Sequence, residues 1–180
     1  MERFVLTQED SLLLVIDIQE RLVAAMGYGH QVVDRTGILL ATAKALDIPV
    51  LFTEQYPKGL GRTVPELTVE GAPVFEKITF SGLTPEVAQA LEQTNRKKVI
   101  VTGIETHVCV YQTVRDLLKE GYQVFVAEDG VCSRSKANWR NGLSLMAAMG
   151  AVITNTETVF FDLMKQAGTP LFKELSKLIK

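Results

Sequence analysis

Cys109 stands at the start of a predicted helix, which follows an apolar run and a glycine. Residues 99–110 read VIVTGIETHVCV, which indicates a buried strand, a turn at Gly103, a polar stretch and then the cysteine. The first turn of a helix carries partial positive charge, which stabilises a thiolate, and the thiolate is the nucleophilic form. This position indicates a cysteine nucleophile, and the alternative is a small buried thiol. Cys132 has no such position and is predicted to be inert.

Asp17 and Lys77 are the candidate partners of this thiol. Asp17 ends the apolar run 12–16, where a carboxylate is placed to take a proton from a thiol and return it to a leaving group. Lys77 lies among apolar residues, and a cation there would stabilise developing negative charge. The alternatives are an aspartate that caps a turn and a surface lysine paired with Glu76. Together the three residues predict nucleophilic attack on a carbonyl.

Six apolar runs alternate with helical patterns along the chain. Such runs indicate parallel strands that are covered on both faces, so we expect a three-layer αβα, Rossmann-like α/β fold with a six-stranded, mostly parallel sheet in one domain over residues 1–180. The predicted strands are 12–16, 49–52, 74–75, 99–101, 124–127 and 152–153. The predicted helices are 36–46, one that begins after a Thr84 cap, 106–119 with Thr106 as cap, 138–149, 159–164 and 171–179.

The carboxyl ends of parallel strands meet at one edge of a sheet, and ligands bind there. Asp17 follows the first run, Lys77 follows the third, and Cys109 follows the fourth, so the three predicted catalytic residues share this edge. Asp129 is expected to follow the fifth run. Residues 55–73 show no clear element, which favours an active-site loop over a surface excursion.

Composition restricts the partners of the protein. The net charge of −2 gives no basic surface for nucleic acid, and no apolar run is long enough to span a membrane. The two histidines, His30 and His107, are scattered, and glycine-rich nucleotide loops are absent, so no metal and no cofactor are expected. Two cysteines without a signal-peptide pattern predict a reduced, cytoplasmic protein. The partner expected for the candidate site is a small-molecule substrate.

Three motifs in combination resemble the isochorismatase-like cysteine hydrolase superfamily over about residues 10–165. They are VIDIQ at 15–19, EKITFS at 76–81 and GIETHVCV at 103–110. The resemblance implies an Asp-Lys-Cys triad of Asp17, Lys77 and Cys109. It also implies a non-proline cis peptide bond between Ile104 and Glu105, and an oxyanion hole made by the N–H groups of Glu105 and Cys109.

The segment 53–61, TEQYPKGLG, resembles the isochorismatase-domain-containing subgroup. The Asp-x-His metal motif of nicotinamidases is missing here, and isochorismatases proper lack the nucleophilic cysteine, so the resemblance implies amide or related acyl hydrolysis through a thioester. It also implies a homo-oligomer, a dimer or larger. Residues predicted by position to contact the substrate are Gln19, Glu54, Gln55, Tyr56, Phe80 and Ser81.

Two other functions remain open from the sequence. The chain could be a non-catalytic member of the fold that binds a small ligand or serves as a scaffold. Cys109 could instead be a redox thiol, although Cys132 is the only other cysteine and could approach it only through folding.

Overall fold

A computed structural model describes residues 1–179 and contains a six-stranded sheet in which all pairings are parallel. The strands are β1 (Ser11–Ile16), β2 (Val50–Gln55), β3 (Val74–Lys77), β4 (Lys98–Ile104), β5 (Gln123–Cys132) and β6 (Val152–Thr154). Their order in the sheet is β3-β2-β1-β4-β5-β6. The predicted fold class and all six predicted strands are confirmed, although most strands extend beyond their apolar runs.

Helices cover both faces of the sheet. They are α1 (Glu20–Ala25), α2 (Gly29–Ala45), α3 (Pro57–Leu60), α4 (Pro85–Gln93), α5 (Tyr111–Lys119), α6 (Lys136–Ala148), α7 (Thr156–Met164) and α8 (Pro170–Leu175). A π-helical turn (Thr106–Val110) leads into α5, and 3-10 segments lie at Glu2–Phe4, Pro65–Leu67 and Ser176–Ile179. Within residues 1–179, no helix combines the length and the apolar character that crossing a membrane requires.

The strands separate two hydrophobic clusters. Along β1, Leu13 and Val15 face one cluster, which contains residues of α2 and α7. Leu12 and Leu14 face the other cluster, which contains residues of α4, α5 and α6. Because both faces of β1 are covered, the strand is apolar without alternation, and that continuity is the pattern that identified it in the sequence.

The sheet order reverses between β1 and β4, and this switch point opens a crevice beyond the strand ends. The prediction that Asp129 belongs to that edge is wrong, because β5 continues to Cys132 and Asp129 lies within it. The register of β4 and β5 shifts between Val101 and Gly103, which accommodates the longer strand. The Asp129 carboxylate accepts hydrogen bonds from the N–H and hydroxyl of Thr156 and so fixes the start of α7.

Gly103 allows β4 to approach β1 closely at the switch point. Its φ is +151°, and a Cβ there would lie 2.4 Å from the Ile16 carbonyl oxygen and 2.7 Å from the Ile16 Cβ. Both neighbours belong to the strand that carries Asp17, so any side chain at position 103 would displace that strand end.

We expect Gly103→Ala to lower the free energy of unfolding by about 4 kcal/mol, because it combines a positive φ with a main-chain clash. The matched variant is Gly121→Ala, at φ +82° with nothing within 4 Å of the added Cβ. That change carries only the backbone strain, about 1–2 kcal/mol. Urea denaturation of both variants measures the difference. Equal losses would show that the contact with Ile16 is unimportant.

Candidate active site

Asp17 and Lys77 form a fully buried ion pair at the carboxyl edge of the sheet. Asp17 Oδ2 lies 2.7 Å from Lys77 Nζ, and neither side chain has exposed surface. The other carboxylate oxygen, Oδ1, accepts a 2.7 Å hydrogen bond from the hydroxyl of Thr53. Both oxygens of the carboxylate are therefore engaged, one by a neighbouring strand end and one by the ammonium group.

The Lys77 ammonium group is surrounded by acceptors. Besides Asp17, it donates to Gln55 Oε1 at 2.7 Å and to the carbonyl oxygens of Thr79 and Phe80 at 3.2 Å. The Gln55 amide nitrogen in turn donates to the carbonyl of Ile78. Both ends of the Gln55 side chain thus bind the segment that carries Lys77, which makes Gln55 a residue that positions the lysine.

Cys109 lies in the π-helical turn and points toward the same group of polar atoms. Its Sγ is 4.0 Å from Gln55 Oε1, and the thiol interacts with both Asp17 and Lys77. Burial, reinforced by the negative charge of Asp17 and opposed by Lys77, raises the pKa of the Cys109 thiol to about 12. Desolvation therefore outweighs the stabilisation that the helix terminus offers a thiolate, and the raised pKa favours the protonated thiol at neutral pH.

Glu105 precedes this turn and is held from both sides. The Ile104–Glu105 peptide bond is cis. The Glu105 carbonyl accepts from the N–H groups of Val108 at 3.0 Å and Val110 at 3.2 Å, on either side of Cys109 in the chain. The Glu105 carboxylate accepts from the main-chain N–H and the Nε of Arg134, at 3.0 and 3.1 Å.

The predicted capping role of Thr106 is wrong. The residue at the cap position is Glu105, and Thr106 is the first residue of the turn. The Thr106 hydroxyl is buried and makes no hydrogen bond with the described residues. The predicted Thr84 cap is confirmed, since its hydroxyl accepts from the N–H of Val87.

Gln19 is fully buried and binds main-chain groups only. Its Nε2 donates to the carbonyls of Gln55 and Gly61, at 3.0 and 2.6 Å, and its Oε1 accepts from the Gln55 N–H at 2.7 Å. An isolated antiparallel bridge joins Gln19 to Thr63. Gln19 thereby ties the end of β1 to the end of β2 and to the segment that follows α3.

Glu54 binds the same segment from β2. Its Oε1 accepts from the N–H and hydroxyl of Thr63, at 2.6 and 2.9 Å, and its Oε2 pairs with Arg62 at 2.9 Å. Burial raises the pKa of Glu54, but the hydrogen bonds from Thr63 and the charge of Arg62 outweigh it and leave the pKa below its ordinary value. Residues 55–73, which show no clear element in the sequence, contain α3 and a 3-10 segment. Gln19 and Glu54 hold this part of the chain against the sheet edge.

The remaining predicted contact residues lie nearer the surface. Tyr56 and Phe80 are 54% and 55% exposed. Tyr56 directly follows Gln55 of the buried network, and Phe80 lies in the segment after Lys77. Ser81 is half-buried, and its hydroxyl accepts from the Leu83 N–H at 3.3 Å. Tyr56 and Phe80 are thus the predicted contact residues with the most surface available to a ligand.

Three further residues that support the site were not predicted from the sequence. Thr53 binds Asp17, and Arg134 binds Glu105. Thr113 accepts from the Gly82 N–H at 2.7 Å and donates to the Cys109 carbonyl at 2.6 Å, so it joins α5 to the segment beyond Lys77. Thr53 ends an apolar run beside Glu54 and could have been found by that position. Arg134 and Thr113 carry no local signal.

The two cysteines are separated by the sheet. Cys109 packs in the cluster on the α4–α6 side and Cys132 in the cluster on the α2–α7 side, and both thiols are free. Burial and the charge of Glu105 raise the pKa of Cys132 to about 12. Among residues 1–179, no three His, Cys, Asp or Glu side chains come together in a group suited to a metal ion.

The fold and the site define a parallel α/β protein with a buried thiol beside an Asp–Lys ion pair. The family model for the Isochorismatase domain matches residues 11–158. The chain therefore belongs to the isochorismatase family and has the family's hydrolase fold.

Relatives of this chain agree with that assignment. It is 40% identical over 173 residues to isochorismatase domain-containing protein 2 of Rattus norvegicus, covering 96% of this chain and 82% of the relative. The structure of the MAR1 ribonuclease from Caenorhabditis elegans superposes with a TM-score of 0.92 at 38% identity, covering 97% and 92% of the two chains. The resemblance to the isochorismatase-like superfamily seen in the sequence is confirmed.

A more distant structure shares the fold. The YcaC gene product of Escherichia coli, described as an octameric hydrolase of unknown specificity, has a TM-score of 0.89 at 23% identity. The alignment covers 97% of this chain and 89% of that protein.

We expect alkylation of Cys109 by iodoacetamide to accelerate about tenfold per pH unit from about pH 6.5 to 9.5, without levelling off. The thiol pKa of about 12 lies above this range, so the reactive thiolate fraction rises throughout it. Peptide mass spectrometry measures the rate at Cys109. An unstructured peptide with one internal cysteine, whose thiol pKa is about 8.5, is the control that levels off. A plateau below pH 7 would show a resting thiolate instead.

Proposed function

We propose that this protein is a cysteine hydrolase of small amides or related acyl compounds, with Asp17, Lys77 and Cys109 as the catalytic triad. The observation that carries the proposal is the burial of a neutral thiol beside an ion pair whose carboxylate can accept its proton. A neutral thiol beside a carboxylate is the starting arrangement that proton transfer to a general base requires.

The proposed reaction has two stages. In the first, Asp17 takes the Cys109 proton while Sγ attacks the carbonyl carbon, and Asp17 then returns the proton to the leaving amine as the carbon–nitrogen bond breaks. This leaves a thioester on Cys109. In the second, a water molecule attacks the thioester and gives its proton to Asp17; the carbon–sulfur bond then breaks, the acid leaves, and Asp17 returns the proton to Sγ. Lys77 remains charged and stabilises the carboxylate and the thiolate as charge moves between them.

The oxyanion is proposed to bind the N–H groups of Glu105 and Cys109. Two contacts support this assignment. The Glu105 carbonyl accepts from the N–H groups of Val108 and Val110, on either side of Cys109, and the Glu105 carboxylate is held by Arg134. These bonds fix the turn without using the N–H groups of Glu105 and Cys109. Fixed main-chain donors are effective because they need no reorganisation when charge develops.

Substrate contacts are proposed at Tyr56, Phe80 and Ser81, which lie at the rim of the buried network. The side chains of Gln19, Glu54 and Gln55 already bind protein groups, and we propose that they position the triad and its covering segment. An exposed aromatic pair beside a small polar centre suits a compound with one acyl group and an apolar portion.

We further propose that the protein forms a homo-oligomer, a dimer or larger. The edge strand β3 and the segment after it expose apolar side chains at Val74 (49%), Ile78 (81%) and Phe80 (55%). Covering an edge strand removes unpaired main-chain groups from solvent. The YcaC gene product of Escherichia coli, described as octameric, supports the same proposal.

A cytoplasmic location is proposed from the thiols. Both cysteines are free, and a mechanism that needs a reduced Cys109 suits a compartment that keeps thiols reduced.

RNA is a second candidate substrate, favoured by the name of the ribonuclease from Caenorhabditis elegans that shares 38% identity. The net charge of −2 argues against it, since proteins that follow a phosphate backbone carry excess Lys and Arg. A screen for the substrate therefore tests an RNA oligonucleotide beside the small amides.

We expect a screen of small amides to yield saturable hydrolysis that Cys109→Ala abolishes and Cys132→Ala retains. The two variants make the same chemical change, and Cys132 lies across the sheet from the triad. Release of ammonia or amine measures turnover, and mass spectrometry of the Cys109 peptide detects the thioester. Saturable binding of an amide with no turnover would favour the non-catalytic alternative. Cleavage of RNA by both variants would place the activity elsewhere.

For Asp17→Asn we expect opposite effects on hydrolysis and on alkylation. Loss of the general base lowers kcat/KM by at least about 100-fold. The charge of Asp17 raises the pKa of Cys109, so its removal lowers that pKa and speeds iodoacetamide labelling at pH 7.5 by about tenfold. Circular dichroism checks the fold. A variant that loses both hydrolysis and labelling while folded would show that Asp17 only shapes the site.

A further inference from the structure

A cavity lies beside the π-helical turn that carries Cys109, which we call the nucleophile turn, and it is not part of the proposed catalytic site. It has a volume of about 360 Å³ and opens between the end of β5 and the starts of α2 and α6. Cys132 and Ser133 form part of its wall, whereas Asp17, Lys77 and Cys109 do not line it. This volume is within the range of small-ligand sites in proteins. We call it the β5 cavity.

Two aromatic side chains line the β5 cavity. Trp139 of α6 is half-buried, and its indole N–H donates to the Glu128 carbonyl at 3.2 Å, so the ring is held in one orientation. Tyr28 lies just before α2 and is 57% exposed. A fixed indole and an exposed phenol ring at one cavity provide large apolar surfaces for a planar ligand.

The cavity has two cationic side chains that can bind an anion. Arg134 and Lys136 both line it and both are exposed. Arg134 uses its Nε–H on Glu105, and a guanidinium group has further N–H donors on its two terminal nitrogens. Of the two acidic residues in the lining, Asp129 is engaged by Thr156 and by Arg35 at 3.6 Å. The donors available to an anion are therefore the Lys136 ammonium group and the terminal N–H groups of Arg134, with Glu128 as the other carboxylate of the lining.

We propose that the β5 cavity is a binding site for a small aromatic carboxylate, with the ring between Trp139 and Tyr28 and the carboxylate at Arg134 and Lys136. The same residues connect this site to the nucleophile turn. Arg134 binds the Glu105 carboxylate, and Ser133 contacts His107 Nδ1 at 3.0 Å, and both partners lie within four residues of Cys109. A ligand here would therefore contact residues that bind the turn that carries Cys109.

Trp139 is the only tryptophan of the sequence, so its emission reports directly on the β5 cavity. Titration of the full chain with phenylacetate is expected to change this emission saturably. The neutral analogue 2-phenylethanol, which has the ring without the carboxylate, is expected to bind at least about tenfold more weakly. Linear, non-saturating quenching, or equal affinity for the two compounds, would overturn the proposal. The measurement needs no turnover and does not depend on the proposed hydrolase activity.

Lys136→Glu is the test variant, because an acidic residue is well tolerated in the first turn of a helix. It is expected to weaken phenylacetate about tenfold and to leave 2-phenylethanol unchanged. Lys173→Glu makes the same charge reversal on α8, outside the cavity, and is expected to bind phenylacetate like the wild type. If both variants lost the same affinity for phenylacetate, the change in net charge would explain the effect, and the proposal would be overturned.

Labelling of the wild-type chain gives a second readout that needs no variant. Methyl methanethiosulfonate at pH 8.5, followed by peptide mass spectrometry, measures the modification of both cysteines. Because Cys132 lines the cavity and Cys109 does not, phenylacetate is expected to slow labelling of Cys132 at least about threefold more than that of Cys109. Protection of Cys109 alone would show that phenylacetate occupies the candidate active site instead, which overturns the proposal.

Discussion

The buried ion pair of Asp17 and Lys77 is the interaction on which the rest of the site depends. Removing two charges from water costs several kcal/mol for each ion, and their attraction offsets this only when the remaining hydrogen-bonding capacity is satisfied. Here Thr53 and Gln55 satisfy it from β2, and the carbonyls of Thr79 and Phe80 satisfy it from beyond β3. The ion pair therefore requires the ends of three strands to be in register.

This requirement explains the surrounding architecture. Gln19 and Glu54 bind Gly61 and Thr63 and so hold the segment after α3 against the sheet edge beside the ion pair. Gly103 allows β4 to lie close to the strand that carries Asp17. Burial also keeps Cys109 protonated, so the negative charge of the site lies on the Asp17 carboxylate while no substrate is bound.

The fold, and the meeting of Asp17, Lys77 and Cys109 at one edge of the sheet, could be predicted from the sequence because both depend on local patterns. Continuous apolar runs identify buried parallel strands, and polar residues at their ends mark the functional edge. Other features depend on contacts between distant segments. The protonation state of Cys109 follows from burial, the role of Gln55 follows from its contact with Lys77, and the inclusion of Asp129 in β5 follows from a register shift with β4. Helices α1 and α3, of six and four residues, are too short to show a period.

The position of the two cysteines on opposite sides of the sheet has a consequence for oxidative damage. A sulfenic acid formed on Cys109 would have no neighbouring thiol in Cys132 to convert it to a disulfide, and further oxidation of such a group is irreversible. Peroxide reacts with thiolates far faster than with thiols. By keeping Cys109 protonated, the burial that shapes the site also shields the proposed nucleophile from oxidants while no substrate is bound.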